Sequence, residues 1–132
     1  MSNRYETEIV RLHNFFVDWF TGTVPQTAEA FAPFKEPMSP QFAIISPQGL
    51  STDCGQLVDS LWKSHNLIPN IRIWIKNVTV KQQIGDISIV TYEEWQERDG
   101  KTTSRVSTVI FQPFDHPQYP LKWLHVHETW MK

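Results

Sequence analysis

Two turn signals and a proline-rich loop divide the second half of this chain into four strand-length runs, and few folds accommodate four consecutive runs of that kind. Gly85-Asp86 and Asp99-Gly100 are pairs that tolerate the positive φ angles of a tight hairpin, while Pro113, Pro117 and Pro120 punctuate the loop before the last run. Strands are predicted over residues 71–80, 87–97, 102–112 and 121–130. Neighbours joined by such short turns pair antiparallel, which gives a meander. In the first run Ile71, Ile73 and Ile75 alternate with Arg72, Trp74 and Lys76, and the apolar parity then switches to Val78 and Val80. An extra residue near Asn77, a β-bulge, accounts for the switch.

The last run alternates two sets of side chains. Trp123, His125, His127 and Thr129 are predicted on one face, with Leu124, Val126, Glu128 and Trp130 on the other. Neither set is uniformly polar, so both faces are expected to meet something other than water. A core or cavity would lie on one side and a partner chain on the other.

Three helices precede the meander. Residues 6–20 place Ile9, Leu12, His13, Phe16, Trp19 and Phe20 on one stripe and Glu8, Arg11, Asn14 and Asp18 opposite, with Gly22 as a stop. Residues 27–34 form a short second helix carrying Ala28, Phe31 and Ala32, broken around Pro33 and Pro37. Residues 53–65 carry Cys54, Leu57, Val58, Leu61 and Trp62 at helical spacing, and Asp53 with Gln56 has the form of a capping box. A short strand over 41–46 ends in the turn Ser46-Pro47-Gln48-Gly49. The fold class is α+β, with about three N-terminal helices on one face of a strongly curved, mostly antiparallel sheet.

Composition narrows the function. The chain has 132 residues, read as a single domain over 1–132, and its six Trp, eight Phe and three Tyr demand a large buried aromatic surface. Twelve Lys plus Arg against fourteen Asp plus Glu leave a net charge of −2, and no basic run exceeds a pair. The electrostatic footprint of nucleic-acid binding is absent. The lone Cys54 excludes an intrachain disulfide and a multi-cysteine metal site, and it fits a reducing compartment. The amino end is polar and no apolar run reaches membrane-spanning length, so a cytoplasmic location without membrane contact is expected. Asn77-Val78-Thr79 matches a glycosylation sequon and is read as chance. No glycine-rich phosphate loop occurs, and no cofactor is expected.

Four local motifs in this order resemble the nuclear transport factor 2-like superfamily of cone-shaped domains, and more narrowly its SnoaL-like, polyketide cyclase-like and ketosteroid isomerase-like branch. They are Phe15-Phe16-Val17-Asp18-Trp19-Phe20; Phe42 to Gly49 leading into the helix that ends Leu61-Trp62; Glu97-Arg98-Asp99-Gly100-Lys101; and Lys122 to His127. The last is also similar to the association domain of calcium/calmodulin-dependent kinases. The resemblance implies a pocket enclosed by helices and concave sheet, and a homodimer through the convex sheet face. Relatives in the isomerase and cyclase branch use aspartates on the cone wall. Here Asp18, Asp53, Asp59, Asp86, Asp99 and Asp115 all fall in predicted helices, turns or loops, and Gln48 stands where that turn often carries Asp.

In place of aspartate, His127 or His125 with Glu93 is the catalytic acid–base set the sequence offers. Histidine titrates near neutral pH, and alternate spacing on a strand points both rings the same way. The same spacing could hold a metal, but no third ligand can be named, so no metal site is expected. The hairpin at Asp99-Gly100 allows two registers. A two-residue loop sets Arg105 opposite Glu94; a three-residue loop with a bulge sets it opposite Glu93. The second is favoured because it gathers Glu93, Trp95, Arg105 and Ser107 on one face. With His13, Phe16, Phe20, Trp62 and Trp123, the residues Trp95, Arg105 and Ser107 make the predicted ligand-binding set. His65 is expected to cap its helix or lie at the surface, His116 to meet solvent and Cys54 to pack inertly. These features predict a pocket for a small, partly apolar molecule, with isomerase-, cyclase- or dehydratase-like proton transfer as its chemistry. A non-catalytic dimerisation or association module is the alternative.

Overall fold

Helix α1 (Arg4–Thr21) starts where the Asn3 side chain accepts a hydrogen bond from the Glu6 N–H at 3.0 Å. It stops at Gly22, which sits at φ 75° in the left-handed region. A Cβ at this position would lie 2.5 Å from the Asn66 side-chain oxygen, so both backbone and space require glycine. The same loop is pinned to the helix end by Asn66 N–H to Trp19 O and Ile68 N–H to Phe20 O, each 3.0 Å. The computed structural model describes residues 3–131.

Helix α2 (Ala28–Lys35) is capped by the Thr27 hydroxyl. It runs through Pro33 rather than breaking there. The carbonyl that loses its donor belongs to exposed Glu29, where solvent can serve it. Strands β1 (Met38–Ile45) and β2 (Ser51–Asp53) follow, and α3 (Cys54–Lys63) opens with the Asp53–Gln56 capping box complete in both directions. The chain ends in β3 (Arg72–Ile84), β4 (Ile87–Arg98), β5 (Lys101–Pro113) and β6 (Leu121–Trp130).

All six strands join one sheet in the order β2-β1-β6-β5-β4-β3. The meander β3 to β6 is antiparallel, whereas β1 lies parallel to β6 and places the last strand in the middle of the sheet. The register shifts between Lys76 and Thr79, with Asn77 at φ 55°, where the apolar parity switches. The three-residue β2 was not anticipated, because so short a strand carries no alternation.

Two registers differ from the sequence expectation, and both move candidate residues across the sheet. Asp99 and Gly100 adopt φ 51° and 79°, and Arg98 pairs with Lys101, so the loop has two residues of the primed-turn kind. Arg105 therefore opposes Glu94, not Glu93. In β6, Phe111 pairs with Trp123 but Ile110 pairs with His125, which leaves Leu124 as an extra residue. That bulge reverses parity within the strand. Trp123, Val126 and Glu128 are buried on the helix side, while His127 and Thr129 are exposed on the other. The predicted grouping of Trp123 with His125, His127 and Thr129 is thus corrected.

The concave face of the sheet wraps α1. Ile9, Leu12 and Trp19 of the helix join Val90, Val109, Phe111 and Trp123 of the sheet, with Phe31, Phe34 and Leu61 closing the end.

Candidate functional site

A cavity of about 80 Å³ lies between α1 and the concave sheet face. Its walls are mainly apolar, with Phe16, Phe42, Ile44 and Trp123 among them, and its polar groups are His13, Tyr92, Glu94 and Glu128. Liquid water occupies about 30 Å³ per molecule, so the space holds a few waters or one small group.

Helix α1 delivers His13 to this cavity because its apolar stripe must face the sheet. The imidazole Nδ1 lies 2.7 Å from the Ile9 carbonyl, which can only accept, so Nδ1 carries a proton. Nε2 lies 3.0 Å from Glu94 Oε1, and both side chains are buried. The second Glu94 oxygen accepts from the Gln96 amide. Burial works to raise Glu94, but the charge and hydrogen bond of His13, with Arg105 behind, hold it at about 2. Burial likewise opposes charge on His13, and Glu94 outweighs it, so the histidine is held above its ordinary value. Both shifts favour the imidazolium–carboxylate form of the pair.

Glu128 faces the same space from β6. One of its oxygens accepts from Arg105 Nη1 at 3.2 Å. Burial and the nearby Glu94 charge push its pKa up, against the pull of Arg105. Two carboxylates on one wall therefore move in opposite directions, Glu94 locked in its charged form and Glu128 shifted toward the range where it can exchange a proton. Burial, then Glu94 and Glu128, raise the Tyr92 hydroxyl well above its ordinary value, so it stays a neutral phenol. Among the described residues, no cluster of three His, Cys, Asp or Glu side chains is disposed to hold a metal.

The predicted residues divide between the two sides of the sheet. His13, Phe16 and Trp123 line the cavity, and Phe20 stacks behind Phe16 with centroids 6.1 Å apart. Ser107 is fully buried on the same face, paired across the sheet with Tyr92 and Glu128, and its hydroxyl makes no hydrogen bond. Arg105 reaches the wall through Glu128. Trp62 lies apart, packed against Phe31 and Trp19. Trp95 is on the convex face, stacked on Trp74 with Lys76 4.4 Å from its centroid. Glu93, half-buried and accepting from Asn77 and Trp95, is there too, as are His125 and His127. The predicted catalytic trio is therefore outside the cavity, placed there by the hairpin register and the β6 bulge. With His13, the polar groups of the cavity are instead Tyr92, Glu94 and Glu128. The signal that could have found them was the Asp99-Gly100 pair, whose preferred two-residue loop puts Glu94 on the inner face.

Cys54 is not activated, since burial and the adjacent Asp53 raise its thiol pKa. His65 Nε2 donates to the Val24 carbonyl, 2.6 Å away, since a carbonyl only accepts. His116 lies against Glu36 at 2.8 Å in the proline-rich loop.

The profile of the sucrose-6-phosphate phosphohydrolase C-terminal family matches residues 5–132. The chain belongs to that family. Curated relatives of the chain include sucrose-phosphatase 2 of Nicotiana tabacum, 23% identical over 127 residues. The match covers 94% of this chain and 30% of that protein, so the chain spans about a third of the length of the curated relatives it matches. Among solved structures, an NTF2-like protein of unknown function from Pseudomonas aeruginosa superposes with a TM-score of 0.87 at 25% identity, covering 98% of this chain and 100% of that one. The CaMKII hub of S. rosetta superposes at 0.66 and 16% identity, covering 99% and 100%. The family domain thus has the NTF2-like cone fold, shared with ketosteroid isomerase-like proteins and kinase association domains. No helix of the described residues is long and apolar enough to cross a membrane.

Proposed function

We propose that this domain binds a small, partly apolar molecule in its cone, with Glu128 as the group that meets the ligand's polar atom. The partly open cavity carries the reading: a mainly apolar space into which one carboxylate of shifted pKa is turned, while the other is locked by His13. If the bound molecule reacts, the step is a proton transfer at Glu128, since Glu94 and His13 already satisfy each other. His125, His127 and Glu93 have no part in it, because they sit across the sheet from the cavity.

A library of metabolites screened by thermal shift tests the reading, because a ligand at 100 times its Kd stabilises the native state by about 2.7 kcal/mol. Ile44→Phe fills the cavity from β1 and is expected to erase that shift while the variant stays folded. Equal stabilisation in Ile44→Phe would remove the cavity as the site.

A second reading is favoured by the convex face, where Val106 is 37% exposed and Ile45, Trp95 and Ile110 lie on the same side of the sheet. We infer that this face joins a second copy of the chain, and that the domain serves as an association module in the manner of the kinase hubs it resembles. Sedimentation should then give a dimer, and Val106→Glu should shift it to monomer. A wild-type monomer at micromolar concentration would exclude this.

A further inference from the structure

Beyond the cavity, the β4–β5 hairpin and the end of β6 form an open groove of about 550 Å³. Cross-strand pairing explains its lining. Arg98 opposes Lys101, Gln96 opposes Thr103, and Arg105 opposes Trp130, so all six side chains share the concave side of the sheet. Three cations therefore meet in one groove. The acid among them, Asp99, is occupied as acceptor from Asn70 at 2.6 Å. Among the described residues, Arg98 and Lys101 make no ion pair. Arg105 spends Nη1 on Glu128, but its Nε is buried with no partner, and its guanidinium lies 4.7 Å from the Trp130 centroid. Trp130 remains 42% exposed. A desolvated donor without an acceptor is costly unless an anion supplies one.

We propose that this groove is a second binding site, taking an organic anion whose charged group meets Arg98, Lys101 and Arg105 and whose ring or flat body rests against Trp130. Volume and chemistry agree, since a groove of this size accommodates a compound of metabolite dimensions. The groove is separated from the cavity by the Glu94–Gln96 and Glu128–Arg105 contacts, so the proposal does not depend on what the cavity holds.

Titration calorimetry with phenyl phosphate, benzoate, benzyl alcohol and inorganic phosphate tests it on the whole chain. Phenyl phosphate is expected to bind saturably and more weakly as salt rises, and benzyl alcohol not to bind. Saturation by phenyl phosphate without benzoate narrows the class to phosphate monoesters; saturation by both widens it to carboxylates. Arg98→Ala/Lys101→Ala lies on the exposed hairpin and should leave the melting temperature unchanged while weakening binding by about tenfold or more. Trp130→Ala should remove the preference for phenyl phosphate over inorganic phosphate. Ile44→Phe should change nothing, which separates this site from the cavity. Absence of saturable anion binding, or the wild-type affinity in the double variant, would overturn the proposal.

Discussion

Glu94→Ala is expected to destabilise the domain by about 3–5 kcal/mol, the cost of leaving a buried charge without its partner. His13 is the group left behind. Its ring is buried under α1, its Nδ1 proton is committed to the Ile9 carbonyl, and its Nε2 would face an emptied space. The imidazole would have to lose its charge, and the Gln96 amide would lose its acceptor as well. His13→Leu/Glu94→Leu should come back much closer to wild type than Glu94→Ala, because two apolar side chains of similar volume remove both charges together. The acid limb gives an independent check. The Glu94 pKa falls from 4.5 in an unfolded chain to about 2 in the fold, so its contribution is complete above pH 4.5 and disappears as pH drops toward 2. His13 is raised, so its share is complete below 6.5 and fades as pH climbs through the folded value. Glu128 works against both limbs' sum, because its raised pKa makes its charge a cost above about pH 4.5. Denaturant unfolding from pH 2 to 8 should show the steep acid loss in wild type and not in the double leucine variant. An acid limb unchanged in that variant would mean that other carboxylates carry it.

What the chain disclosed before its structure depended on how strongly each feature was punctuated. Helix α1 was legible because its apolar stripe is long and Gly22 ends it, and α3 because Asp53 and Gln56 form a box. The Asn77 bulge was legible because apolar residues changed parity on either side of it. The Leu124 bulge was not, since Trp123-Leu124-His125-Val126-His127 alternates without a glycine or proline to mark the extra residue. One residue there moved His125 and His127 from the pocket to the outer face. The Asp99-Gly100 turn was read one residue too long, and the same arithmetic carried Glu93 and Trp95 outward and left Glu94 inside. The superfamily could be recognised from the order of motifs. The sucrose-6-phosphate phosphohydrolase C-terminal family could not, because a relative only 23% identical shares fewer than one residue in four with this chain.

Trp19→Ala is expected to cost about 3–5 kcal/mol, the range for emptying a buried aromatic site, and to lower the melting temperature by about 10–20 °C. Trp19 is fully buried and ties three helices together. Its ring lies 5.7 Å from Phe15 on α1, 4.8 Å from Phe31 on α2 and 5.5 Å from Trp62 on α3, and His65 meets its face at 4.7 Å. Its indole N–H donates to the Leu61 carbonyl at 2.7 Å. That carbonyl also accepts from the Ser64 N–H at 3.0 Å, so it is not orphaned when the indole is removed. The loss is therefore one of packing, and Trp19→Phe should recover much of it. Because Trp19 does not line the cavity, ligand affinity per folded molecule should survive the change, in contrast to Glu94→Ala, which alters the cavity wall. Hydrogen exchange should locate the damage in α2, α3 and the loop held at the Trp19 carbonyl, while β4, β5 and β6 stay protected. A loss below about 1 kcal/mol, well under the typical cost of emptying such a site, would show that the helices close over the gap and that the aromatic cluster does not tie them together.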